Sequence, residues 1–132
     1  MDEIGIICRT ILIGEGGVGK TCIILRFLNN EFQHGIPLTT GASFADKVLS
    51  IKEYNTKLEY KIWDTAGQER YRGLAKIFYK NADIVILVYD ITRRKTFDEM
   101  KNYWYQQIKE NVTQDISKIF FILYISYWNC WK

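Results

Sequence analysis

Apolar and polar positions along this 132-residue chain fall into short blocks whose period changes from one to the next. Ile4 to Ile13 is an apolar, β-prone run and predicts a first strand. Past a glycine-rich stretch, Ile23, Ile24, Phe27 and Leu28 make one face of a helix over about residues 19–28. Residues 29–41 are polar and turn-rich, with Gly35 and Pro37, and read as a loop. Phe44 to Ile51 and Leu58 to Trp63 alternate as strands do, with a turn over Glu53 to Thr56 between them. Asp64 to Gln68 breaks the third strand with a glycine, and Arg70 to Lys80 predicts an irregular helix. Ile84 to Tyr89 is apolar throughout, as expected of a strand buried on both faces. Thr96-Phe97-Asp98-Glu99 has the form of a capping box that opens a further helix. Phe97, Met100, Trp104 and Ile108 then recur at helical spacing, as a core-facing stripe. Ile119 to Ile125 is strand-sized and predicts a fifth strand.

Strands alternating with helices imply an α/β fold, a mostly parallel, doubly wound sheet with helices on both faces. Ligands of such folds sit outside the carboxyl ends of the strands. Composition narrows the class without changing it. Hydrophobic residues make up 48% and only one residue is proline, which is globular and not disordered. Net charge is +3 with no long basic run, so no nucleic-acid partner is expected; Arg93-Arg94-Lys95 reads as a solvated turn. Cys8, Cys22 and Cys130 have neither metal-ligand nor redox spacing and read as free thiols of a reducing, cytoplasmic setting. His34 is the only histidine, which argues against histidine-based hydrolytic or metal sites. No signal peptide is expected from Met1-Asp2-Glu3, and no apolar stretch reaches the ~18 residues of a membrane span.

The chemistry is carried first by Gly14 to Thr21, G-E-G-G-V-G-K-T, which fits the phosphate-loop pattern and lies between a strand and a helix. Gly14, Gly16, Gly17 and Gly19 let the backbone curl so that successive N–H groups point at phosphate oxygens. The following helix adds the positive end of its dipole. Lys20 would reach the β- and γ-phosphates and the Thr21 hydroxyl would hold Mg²⁺. The plainer reading is a glycine-rich turn. A second motif weighs against it: Trp63-Asp64-Thr65-Ala66-Gly67-Gln68-Glu69 follows the third strand. Asp64 suits an outer-shell Mg²⁺ ligand, the Gly67 N–H a γ-phosphate contact, and Gln68 a water poised for in-line attack.

G-E-G-G-V-G-K-T-C, T-T-G-A-S-F, W-D-T-A-G-Q-E-R-Y and L-V-Y-D-I-T resemble the Ras superfamily of small GTPases, and within it the Rab branch, from about Ile4 to Val112. The resemblance implies a P-loop NTPase fold, a Ras-like G domain, over residues 1–112, followed by a divergent aromatic tail at 113–132. It implies a GTP-binding and GTP-hydrolysing switch in vesicle traffic, with Mg²⁺ as cofactor and GTP or GDP as ligand. Gly14, Gly16, Gly17, Val18, Gly19, Lys20, Thr21 and Cys22 would form the phosphate site. Thr21, Thr39 and Asp64 would serve the metal, Gly67 the γ-phosphate and Gln68 catalysis, while Phe32 would pack on the guanine ring. Phe44, Trp63 and Phe78 look like the aromatic triad that Rab effectors read. Exchange factors, GTPase-activating proteins and effectors are the implied partners.

The chain departs from the family in several places. Thr40 stands where isoleucine or valine is usual, and Phe78 where the triad usually has tyrosine. No Asn-Lys-x-Asp guanine-specificity motif, no Ser-Ala-Lys loop and no prenylation cysteine pair occurs in the 132 residues. A G domain incomplete at its C-terminal end, without a lipid anchor, is therefore expected. The alternative function is a non-enzymatic fragment that binds nucleotide weakly and without guanine preference, or binds only partners.

Overall fold

The computed structural model describes residues 4–33, 35–67, 72–111 and 119–125. Its centre is a five-stranded sheet built from β1 (Ile4–Ile13), β2 (Ala42–Ile51), β3 (Thr56–Thr65), β4 (Ile84–Asp90) and β5 (Ile119–Ile125). The order across the sheet is β2-β3-β1-β4-β5. β1 runs parallel to β3 and to β4, and β4 parallel to β5, while the β2–β3 hairpin is antiparallel. Hence β1, β3 and β4 all end at one rim, at Ile13, Thr65 and Asp90.

The helices are α1 (Lys20–Asn29), α2 (Arg72–Tyr79), α3 (Arg94–Glu99) and α4 (Tyr105–Asn111), with a π-helical segment, Met100–Trp104, joining the last two. Among the described residues no helix is long and apolar enough to cross a membrane. At the C-terminal end of α1, where carbonyls lack helical partners, Asn30 takes the left-handed conformation and returns its N–H to Arg26 O. Lys47 of β2 donates to Phe27 O and Leu28 O and covers the Phe27 ring.

The apolar alternation of the sequence sorts onto two faces of the sheet. On one, Ile11 and Ile13 of β1 and Val85 and Leu87 of β4 pack with Tyr79, Met100, Trp104 and Ile108. The 97–108 stripe is thus core-facing, with Met100, Trp104 and Ile108 buried and Phe97 packed at their margin. On the other face, Leu12, Ile62 and Val88 meet Val18 and Ile24.

Four local expectations change. β3 continues through Asp64 and Thr65, because both pair in register with β2 and the strand is not broken until Ala66. The 53–56 turn is a 3₁₀ turn over Lys52–Tyr54, closed by Asn55 at φ 47°. β4 is not fully covered on its second face, where Ile84 and Ile86 line an apolar groove with Phe27 and Tyr60. The Thr96–Glu99 capping box does not open its helix, which begins two residues earlier at Arg94. The cause lies in the preceding turn: Asp90 accepts from Thr92 N and Oγ1, and the Thr96 hydroxyl is already engaged with Asp90 N and Arg93 O.

Candidate functional site

At the rim where the parallel strands end, the chain turns from β1 into α1 through Gly14–Gly19. Three glycines there do separate jobs. A Cβ on Gly14 would lie 2.1 Å from Val88 O, so the loop can seat against β4 only without a side chain. Gly17 and Gly19 take φ 71° and 100°, the left-handed region that allows the curl. Gly16 is not among the positive-φ glycines, and Val18 is fully buried beneath the loop.

Lys20 opens α1 and is 5% exposed. Its ammonium donates to Gly14 O at 3.0 Å and Glu15 O at 2.7 Å, which holds it across the mouth of the loop. Burial lowers its pKa to about 8, against the opposing pull of Asp64 and Glu15. A cation held in so dry a place is suited to an anionic ligand.

The next residue begins a cluster of oxygens. Thr21 Oγ1 donates to Asp64 Oδ2 at 2.5 Å and lies 2.9 Å from Thr39 Oγ1, which is itself 3.4 Å from the same carboxylate oxygen. A helix, a strand end and a loop, as far apart in sequence as 21, 64 and 39, therefore meet at one point. Burial pushes the Asp64 carboxyl above its ordinary pKa, and the hydrogen bonds and Lys20 only partly oppose that. Its Oδ1 is buried with no hydrogen-bond partner among the described residues. Two hydroxyls and one carboxylate, whose Oδ1 is the unsatisfied buried oxygen, form an all-oxygen donor set, which fits a hard divalent cation such as Mg²⁺.

Gly67 follows Asp64 by three residues and presses onto the loop. A Cβ there would stand 2.2 Å from Glu15 C, 2.3 Å from Gly16 N and 2.4 Å from Gly14 O. One cleft is lined by Gly16, Gly17, Lys20, Thr21, Thr39 and Gly67, with Cys22 and Gly19 beside them. The Cys22 thiol is pushed up by burial and by Asp64, so it is poorly nucleophilic. Phe32 is half-buried in the loop after α1. Gln68 lies outside the described residues, as do His34 and Cys130. Away from the cleft, Phe44 lies tilted on Trp63, with ring centroids 4.9 Å apart, and Trp63 stacks on Phe78 at 4.6 Å.

Two groups around the loop escaped the sequence reading. Glu15 Oε1 accepts from Arg72 at 2.7 Å and from the indole of the fully buried Trp104 at 2.9 Å. Arg72 also reaches Glu99 at 3.0 Å and lies over the Tyr103 ring. Arg93, read from sequence as part of a solvated turn, instead donates to Gly17 O at 2.8 Å and binds the Asp90 carboxylate. Neither contact has a local sequence signal, since the partners are 57 and 76 residues apart.

Comparison with known proteins gives a consistent family signal. A model of the Ras family matches residues 9–123. The chain is 45% identical over 108 residues to the Ras-like GTP-binding protein RYL2 of Yarrowia lipolytica, covering 82% of this chain and 50% of that protein. It is 41% identical over 108 residues to the Ras-related protein RabJ of Dictyostelium discoideum, covering 82% and 41%. With the human Ras-related protein Rab-8B it shares 40% over 111 residues, covering 84% and 52%. The chain spans about half the length of the curated relatives it matches.

Proposed function

This chain belongs to the Ras family, and we propose that it is a Rab-like switch that binds GTP or GDP with Mg²⁺ and hydrolyses GTP. The observation that carries the reading is the meeting of Thr21, Thr39 and Asp64 beside the buried Lys20. Lys20 supplies the fixed positive charge for the β- and γ-phosphate oxygens, and the amides of Gly16 to Cys22 supply aligned donors. Thr21 and Thr39 would hold Mg²⁺ directly and Asp64 through water; the ion supplies neutralisation of the charge that develops on the phosphate oxygens. Gly67 offers its N–H to the terminal phosphate, and Gln68 orients the attacking water. Phe32 stacks on the base. Phosphoryl transfer needs positioning and charge more than a covalent nucleophile, which suits a site built of amides, hydroxyls and one lysine.

By the same reading, the Phe44–Trp63–Phe78 face receives effectors, exchange factors and GTPase-activating proteins act beside the nucleotide cleft, and the setting is vesicle traffic at intracellular membranes. The names of the relatives, Ras-related and Rab, support this placement.

A second reading, nucleotide binding without guanine preference and without turnover, is favoured by the absence of Asn-Lys-x-Asp from the 132 residues. Single-turnover hydrolysis of GTP, with ATP in parallel, separates the two. The switch reading expects slow GTP turnover that Gln68→Leu reduces by at least about tenfold while binding persists. Equal handling of GTP and ATP with no effect of Gln68→Leu supports the second reading instead.

A further inference from the structure

Arg93 stands just past the end of β4, and its guanidinium spans two elements. Nε donates to Asp90 Oδ2 at 3.0 Å, and one terminal nitrogen donates to Gly17 O at 2.8 Å and approaches Gly16 O at 3.4 Å. Asp90 is itself fixed: it is 2% exposed, and its other oxygen accepts from Thr92 N and Oγ1. The planar fork of arginine suits this double duty, whereas a lysine ammonium could not bridge both partners in the same geometry. Neighbouring Arg94 does nothing comparable, being 81% exposed and paired with Asp98 on its own helix.

The consequence follows from peptide geometry. Among the described residues there are no cis peptides, and in a trans peptide the C=O and N–H of one unit point in opposite directions. A donor that holds Gly16 O and Gly17 O from one side therefore turns the N–H groups of Gly17 and Val18 to the other. Gly17 needs such a restraint more than most residues, because at φ 71° with no side chain its own preferences fix little.

We propose that Arg93 is a positioning residue of the phosphate site: anchored on Asp90, it locks the Gly16–Gly17–Val18 peptides so that their N–H groups face the cleft and its anionic ligand. Its bonds to the two carbonyls also polarise those peptides, which strengthens the N–H groups as donors on the opposite side. This rests on the nucleotide reading for the identity of the ligand, but the locking itself is a property of the ligand-free chain.

The test compares wild type, R93A, R93Q and R93K, with R94A as the neighbouring-charge control. Backbone ¹⁵N order parameters of Gly17, Val18 and Gly19 are measured by NMR without nucleotide. Dissociation rates of a fluorescent GTP analogue and a fluorescent GDP analogue are measured in Mg²⁺. R93A and R93Q should both lower the order parameters of Gly17 and Val18 from about 0.85 toward about 0.6, with unchanged far-ultraviolet circular dichroism. Both should also release the triphosphate and diphosphate analogues about tenfold faster, as the loss of one hydrogen bond from a charged donor implies. R93K should fall between, and R94A should match wild type. Unchanged order parameters in R93A and R93Q overturn the proposal, and so does an equal effect of R94A, which would make it one of general charge. Should wild type bind neither analogue, the nucleotide reading fails, while the order-parameter arm still decides whether Arg93 locks the loop.

Discussion

The phosphate loop and the loop of residues 30–41 face each other across one cleft, and each side contributes a threonine to the same cluster of oxygens. They are held in opposite ways. The phosphate loop is pinned from beneath by Val18, against β4 by Gly14, by Arg93 at Gly17, and through Glu15 by Arg72 and Trp104. In the facing loop, Gly35 and Gly41 have open space where a side chain would stand, and Leu38 is 53% exposed. Its described anchors include Thr39, on Thr21 and Asp64, and Gly41 O, which accepts from Ala66 N at 2.8 Å. A site built so has one wall ready before ligand arrives and another whose place depends on a few oxygen contacts, which is what a ligand-sensitive switch requires.

The contrast is broken most forcefully by making the same substitution on both sides. Gly14→Ala drives a Cβ to 2.1 Å from Val88 O and must displace the loop from β4. It should cost roughly 3 kcal/mol or more, a fall in Tm on the order of 10 °C. Gly35→Ala meets nothing within 4 Å and carries only the strain of φ 70°, about 1 kcal/mol. Thermal melts of the two variants check this; equal losses would mean the two loops are equally constrained.

A smaller effect separates the two threonines. Thr21→Ala removes a hydroxyl bonded to the buried carboxylate of Asp64, and affinity for both diphosphate and triphosphate should fall by roughly tenfold or more. Thr39→Ala removes the partner on the less anchored loop and should weaken the triphosphate alone, about fivefold. Titration of both variants with Mg²⁺ and each nucleotide checks the order. Matching losses for both nucleotides in Thr39→Ala would make the facing loop as permanent a wall as the other.

The smallest expected effect is on the acid side of the stability profile. Burial alone would raise the Asp90 carboxyl, but hydrogen bonds from Thr92 and the bond and charge of Arg93 outweigh it and hold it below its ordinary value. Its contribution is therefore complete above the unfolded carboxyl's pKa of about 4 and is lost as pH falls through the lower folded value. Denaturant unfolding from about pH 5 down to about pH 2, a window that brackets that carboxyl range, should show wild type losing stability more steeply than Asp90→Asn. Parallel curves would remove Asp90 as the rigid anchor of the braced loop.

Much of this was legible in the sequence, for identifiable reasons. β1 and β5 begin and end where the apolar, β-prone runs do; in β1 burial accounts for the run only from Thr10 to Ile13, since Ile4, Ile6 and Ile7 are exposed and there only β-propensity carries the pattern. That Lys20, Thr21 and Asp64 meet at one rim was legible because the two motifs that carry them fix residue types at fixed spacing. Thr96 misled because a hydroxyl three residues before a glutamate has the form of a cap, yet here the Asp90 turn claims it first. Arg93 and Arg72 were invisible as braces because an arginine's partner is chosen by tertiary placement, not by its neighbours in sequence.

In the proposed function, a buried lysine and an oxygen cluster together form a Mg²⁺–nucleotide site. Equilibrium binding of a fluorescent GTP analogue tests it most directly, for wild type in Mg²⁺, wild type in excess EDTA, and Lys20→Ala in Mg²⁺. Loss of Lys20 removes a charged donor to two phosphate groups, so affinity should fall by roughly a hundredfold or more, and EDTA should also weaken binding to wild type. Binding of equal strength in all three samples would mean that neither Lys20 nor a metal ion takes part in holding the nucleotide.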